Sequence, residues 1–262
     1  MTPPRRLSLL LVAAALLASG CSGRREDPIL RLSAEEALAA GKELMEAEKY
    51  AAARPYLTHA FEVEPNSPVG REGLLLVADS HYLEGGSDNY IKAEAKYRDF
   101  QNRFPTSERS PYVQLQIANA LFERMERPDR DQTATEQALE AYEELLRLYP
   151  ASEYAEEARA RIREVKANLA EHEFLVGRFY YRFGLPRAAI ERFEYLLEEY
   201  PDYPERDKVI YHLGLAHQRA DQTEEAHQAF ERLRREYPDS RFVAELPPSE
   251  EAAGEASEER SQ

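Results

Sequence analysis

Five prolines, Pro65, Pro105, Pro150, Pro201 and Pro238, each close a run of residues that reads as a helix, and the residues behind them repeat. Twelve positions before each proline stands a small residue: Ala53, Ala93, Ala138, Ala189 and Ala226. Eight positions before stand Leu57, Tyr97, Tyr142, Phe193 and Phe230, and five before stand Ala60, Phe100, Leu145, Leu196 and Leu233. Spacings of four and three place all three columns on one helical face. Proline has no N–H to continue the ladder and drives the residue before it toward extended backbone, so each one is a stop. A chain ruled by these columns must bury one stripe of each helix against another helix. The absence of tryptophan, with sixteen tyrosines, ten phenylalanines and only eleven glycines, also favours helix-on-helix packing over a turn-rich β architecture.

The Ala, aromatic, proline spacing is that of the second helix of the tetratricopeptide repeat, a helix–turn–helix unit of about 34 residues. The first helix should then carry a small residue twenty-four positions before the proline. Gly41, Gly177 and Gly214 occupy that place, while Ala78 and Ala118 stand nearest to it in the second and third units. The surplus residues of those two units fit loops at Gly85-Gly86-Ser87 and Pro128-Asp129-Arg130. The surplus between Pro150 and Pro201 predicts an elongated first helix from about Glu153 to Phe183. Ser33 with Glu36, and Thr133 with Glu136, have capping-box spacing, and Gly184 followed by Pro186 divides the fourth hairpin. The expected fold is an all-α superhelical solenoid of about five tetratricopeptide hairpins: 33–66, 69–105, 110–150, 152–201 and 204–239. An acidic tail, 240–262, is expected to be disordered because its composition cannot bury a core.

At the N-terminus Arg5 and Arg6 precede the apolar run Leu7 to Leu17, which is too short to span a bilayer and reads as an export signal over residues 1–20. Leu17-Ala18-Ser19-Gly20-Cys21 resembles the bacterial lipobox. That resemblance implies that Cys21 carries S-diacylglycerol and N-palmitoyl groups and begins the mature chain, followed by a linker over 21–32. Ser22, rather than aspartate, implies sorting to the outer membrane. Two or three acyl chains hold a protein at a bilayer without a membrane-spanning helix, at about 0.8 kcal/mol per buried CH₂. Cys21 is the sole cysteine, so no disulfide forms within the chain.

The net charge is −15, and removing residues 1–20 takes away Arg5 and Arg6 and no acid, which argues against nucleic acid as a partner. The six histidines form no HExxH motif and no i, i+4 pair. Asp129, Asp131, Thr133 and Glu140 fall at calcium-loop spacing, but Ala134 stands where the loop needs glycine, so they read as a solvated loop and a helix start. No nucleophile elbow or phosphate loop is present, and neither an enzyme nor a cofactor or metal site is expected.

In such an array a groove forms from first-helix residues one position past the core. That places Asp79, Tyr82, Tyr112, Leu115, Asn119, Phe122, Arg178 and Tyr181 as peptide-groove candidates, with rings to grip apolar side chains and the polar groups to hold backbone or a carboxylate.

The lipobox, the repeats and the phrases Tyr180-Tyr181-Arg182-Phe183-Gly184 and Ala188-Ala189-Ile190-Glu191-Arg192-Phe193 together resemble the BamD family, the lipoproteins of the outer-membrane β-barrel assembly machine. The resemblance runs from Cys21 to Phe242. It implies a scaffold on the periplasmic face of the outer membrane that binds unfolded outer-membrane β-barrel proteins and docks on a BamA-like barrel subunit alongside other members of the assembly complex. It also implies that Arg192 takes part in docking. A lipidated repeat module of another envelope system, such as a pilus-secretin pilotin or a cell-wall coordinator, would share the fold and the anchor but not the partner.

Overall fold

A computed structural model of the chain describes residues 27–246. The signal segment, Cys21 and the final acidic residues therefore lie outside the described part. Within it the chain is all-α, with ten α-helices and no strand among the described residues. They pair in sequence as α1 (Ala34–Glu46) with α2 (Tyr50–Val63), α3 (Pro68–Glu84) with α4 (Ser87–Arg103), and α5 (Ser110–Phe122) with α6 (Thr133–Leu148). The last two pairs are α7 (Ala155–Arg182) with α8 (Pro186–Glu199) and α9 (Arg206–Arg219) with α10 (Thr223–Glu236). Two compact units meet in the sequence at Val77 and Ala78, inside α3.

The fifteen residues of the three columns are the core of the second helices, none more than 5% exposed. Each second helix ends in the same way. Glu64, Phe104, Tyr149, Tyr200 and Tyr237, the residues before the five prolines, all lie near φ −122 to −138° and ψ 57 to 68°. Each gives its N–H to the carbonyl of the five-back column, at Ala60, Phe100, Leu145, Leu196 and Leu233. The proline thus fixes where the helix stops, and the core column supplies the last acceptor.

The small residue of the first helix is there for close approach. A Cβ on Gly177 would lie 2.6 Å from the Phe193 ring, and one on Gly214 would lie 2.3 Å from the Phe230 ring. Seven residues after Gly41, Gly177 and Gly214 come Glu48, Gly184 and Asp221, each with positive φ. In all three turns the next residue bonds back to the first helix: Lys49 to Leu44, Leu185 to Tyr180 and Gln222 to His217. This is the Schellman closure, repeated in hairpins one, four and five. Hairpins two and three use Ala78 and Ala118 and close differently, the second through Gly85 and Gly86 and the third through a loop of ten residues from Glu123 to Gln132.

Ser33 forms the expected capping box, accepting from the Glu36 N–H at 3.2 Å while the Glu36 carboxylate accepts from the Ser33 N–H at 2.9 Å. Thr133 does not. Gln132 is the cap of α6, Thr133 is already helical, and its N–H is taken by Asp131 Oδ1 at 3.0 Å. The acid two residues upstream does what the hydroxyl was expected to do. The 240 boundary of the tail also moves. Arg241–Glu245 is a 3-10 helix whose Phe242 is buried, stacked on Tyr211 at 4.9 Å, and Ser240 Oγ donates to Asp207 at 2.6 Å.

Candidate functional site

The surface of interest is built in the second unit, where the second and third hairpins depart from the others. Their eight-back residues are tyrosines rather than phenylalanine or leucine, and a ring at the core column carries its hydroxyl through to the first helix. Tyr97 Oη donates to Asp79 Oδ1 at 2.7 Å, and Tyr142 Oη donates to Asn119 Oδ1 at 2.6 Å. Asp79 and Asn119 each follow the small residue, Ala78 or Ala118, by one position. Tyr112 Oη adds a second donor to Asp79 Oδ1 at 2.9 Å. Burial raises the Asp79 carboxyl above its ordinary range, opposed by the two tyrosine hydroxyls and by Arg109. Burial and the adjacent Asp79 carboxylate push both the Tyr97 and Tyr112 hydroxyls up.

These bonds change the standing of several candidates. Asn119 is 9% exposed and Leu115 3%, so both belong to the core and neither presents a side chain to a ligand. The one-position rule fails there because α5 is apolar around most of its circumference, with nine of its thirteen residues buried. Asp79 is engaged by two hydroxyls of its own unit rather than held for a peptide.

Partly exposed rings remain beside them. Tyr82 and Tyr90 lie 5.6 Å apart, Tyr112 and Tyr154 6.1 Å apart, and Phe122 meets the edge of Tyr142 at 6.4 Å, all within the range of favourable aromatic pairs. The Arg161 guanidinium lies 4.5 Å above the Phe122 ring and pairs with Glu164 at 3.2 Å. The Tyr82 hydroxyl is pushed up to about 12, first by burial and then by the Glu123 carboxylate. Sequence reasoning missed Tyr90, Tyr154, Arg161 and Glu157, whose carboxylate also acts on the Tyr82 hydroxyl. The surplus residues of the fourth unit carried the signal: they lengthen α7 backward, so that its residues from Arg161 to His172, rather than its Gly177 region, meet the third hairpin.

Arg178 and Tyr181 are elsewhere. They follow Arg161 by seventeen and twenty positions along one helix, or roughly 25 to 30 Å at 1.5 Å per residue. Arg178 is exposed, with its guanidinium 5.7 Å from the Phe174 ring. Tyr181 is half-buried under Arg219, which sits 5.2 Å from its ring and donates to its carbonyl at 2.7 Å. Arg192 projects from α8 and pairs with Glu173 of α7 at 3.1 Å, its side chain 45% exposed. The groove candidates therefore form two separate groups, one around Tyr82 and Phe122 and one around Tyr181.

A family model described as outer membrane lipoprotein, YfiO, matches residues 31–221. The chain belongs to this family. A tetratricopeptide model matches residues 208–240. Among curated relatives, the outer membrane protein assembly factor BamD of Caulobacter vibrioides is 29% identical over 227 residues, 86% of this chain and 73% of the relative. The BamD of Haemophilus influenzae is 27% identical over 205 residues, 74% of this chain and 77% of the relative. That of Rickettsia prowazekii is 26% identical over 243 residues, 91% of this chain and 93% of the relative. None of these three names is that of an enzyme. Of solved structures, the TPR2AB-domain:pHSP90 complex of yeast Sti1 is similar with a TM-score of 0.43 and 15% identity, covering 79% of this chain and 78% of that one. The chain is thus a member of an outer-membrane lipoprotein family, and its described residues fold as tetratricopeptide hairpins.

Proposed function

We propose that the chain is an assembly factor for outer-membrane β-barrel proteins, held by lipid on Cys21 at the periplasmic face of the outer membrane. Its work is binding, without bond-making chemistry. The surface around Tyr82 and Phe122 receives unfolded barrel-protein segments through their aromatic side chains, and the exposed face of α8 that carries Arg192 docks on a BamA-like barrel subunit within the assembly complex. The observation that carries the reading is the outer-membrane lipoprotein family match, which runs through four of the five hairpins and part of the last. The rings at Tyr82, Tyr90 and Phe122 support the substrate half, since partly exposed aromatic groups anchor apolar side chains. The exposed guanidinium of Arg192 supports the docking half, since it sits where a partner's carboxylate can compete with Glu173.

Affinity capture of the natively lipidated protein from detergent-solubilised envelopes should retain a BamA-like barrel subunit, and Arg192→Glu should weaken that retention. Recovery of a secretin or a cell-wall synthase in its place would overturn the assignment. Tyr82→Ala and Phe122→Ala should each weaken binding of a peptide ending in an aromatic residue while leaving thermal unfolding nearly unchanged. Loss of stability without a selective loss of binding would return those rings to the core.

A further inference from the structure

The charges around the Tyr82 surface are uneven. Glu123 adjoins Phe122 in the chain and Glu157 stands one helical turn before Arg161, and both carboxylates act on the Tyr82 hydroxyl, Glu123 also on that of Tyr90. The one guanidinium among them, Arg161, is already occupied by Glu164 and by the Phe122 ring. This surface therefore shows, with its own residues, how it holds a cation: a ring below, 4.5 Å from the guanidinium carbon, and a carboxylate at the side. Tyr82 and Tyr90, with Glu123 and Glu157 beside them, repeat those ingredients with no second guanidinium among the charged groups that act on Tyr82.

We infer that this surface selects polypeptide segments in which an aromatic residue is flanked by lysine or arginine, and rejects those in which it is flanked by aspartate or glutamate. The incoming ring packs against Tyr82, Tyr90 and Phe122 within ordinary aromatic range, and the neighbouring ammonium or guanidinium meets Glu123 and Glu157. Carboxylates at the same place would meet two like charges. The net charge of −15 acts in the same direction at longer range and speeds the approach of cationic segments. The inference rests on the proposed reading of this surface as a peptide site and adds a rule for what it accepts.

The test uses the full lipidated chain in detergent and two fluorescent peptides, identical except that the residues flanking a central phenylalanine are lysines in one and glutamates in the other. At low salt the lysine peptide should bind roughly three- to tenfold more tightly, the scale of one or two partly exposed ion pairs. At about 0.5 M salt the difference should collapse, because exposed charges are then screened. Glu123→Lys with Glu157→Lys should abolish or reverse the preference at an unchanged unfolding midpoint. Glu123→Gln with Glu157→Gln should abolish it where the lysine pair folds poorly. Equal binding of the two peptides, or a preference that survives both double substitutions, would overturn the inference and leave the peptide-site reading standing. Failure of both peptides to bind would instead sink that reading.

Discussion

Hairpins four and five and hairpins two and three solve the same packing problem in two ways. In four and five the first helix contributes glycine and the second contributes phenylalanine, so the ring lies flush against backbone: Gly177 under Phe193, Gly214 under Phe230. In two and three the first helix contributes alanine and the second contributes tyrosine, whose hydroxyl passes the small residue and ends on the next one, Asp79 or Asn119. The first arrangement is held by apolar contact alone, and its cost lies in the glycine, which weakens a helix interior by up to about 1 kcal/mol relative to alanine. The second keeps the better helix former but commits a polar pair to the core, where each member depends on the other. The side chains after Gly177 and Gly214 are Arg178 and Leu215, neither of which could accept a hydroxyl. Each pairing is thus consistent only within its own type, and it is the polar type that borders the candidate binding surface.

The largest effect should come from emptying the apolar type. Phe193→Ala removes a ring with no exposure and should cost about 3 to 5 kcal/mol, read from chemical denaturation of the full chain. Next, Gly177→Ala forces a methyl to within 2.6 Å of the Phe193 ring, and overpacking of this kind should cost about 1 to 3 kcal/mol. If Gly177→Ala were neutral or stabilising, the glycine would be a relic rather than a fitted contact. Tyr142→Phe tests the polar type: Asn119 loses its donor, and a loss of about 1 kcal/mol is expected. An unchanged midpoint would mean that water replaces the hydroxyl and that the pair is not a core element.

The smallest effect is one of pH. Burial raises the folded-state carboxyl of Asp79 above its ordinary value of 3.8. The folded chain therefore binds this proton more tightly than the unfolded chain does. The contribution is fully present below 3.8 and is lost as pH rises through the raised folded value, above which it is constant. Asp79→Asn cannot ionise, so its stability relative to the parent should improve from pH 4 toward neutrality and then level off. A difference in unfolding midpoint that stays flat over that range would remove the burial argument.

The reach of sequence reasoning follows the same divide. The three columns, the proline stops and the lengthened α7 could be read because each is set within a single helix, by local spacing and the chemistry of one residue. The pairing of Tyr97 with Asp79 could not, because the two residues lie eighteen positions apart on different helices and only the crossing geometry joins them. Leu115 and Asn119 were misplaced for a related reason: a rule that counts one position past the core assumes a helix with one apolar face, and α5 is buried around most of its turn. Arg161 escaped notice because it belongs to a helix whose register was fixed from its far end, at Gly177. Single-helix logic describes this fold well and its candidate binding surface poorly, since that surface is made of residues that meet across helices.

The short helix at Arg241–Glu245 gives the fifth hairpin a cover made largely by one ring. Phe242 is buried against Tyr211, and the Tyr211 hydroxyl donates to Glu245 at 2.9 Å. An outer apolar face of a helical array needs a polar outer layer to stay in water, and here five residues supply it: the ring closes the apolar side while Arg241 and Glu245 face outward with their charges.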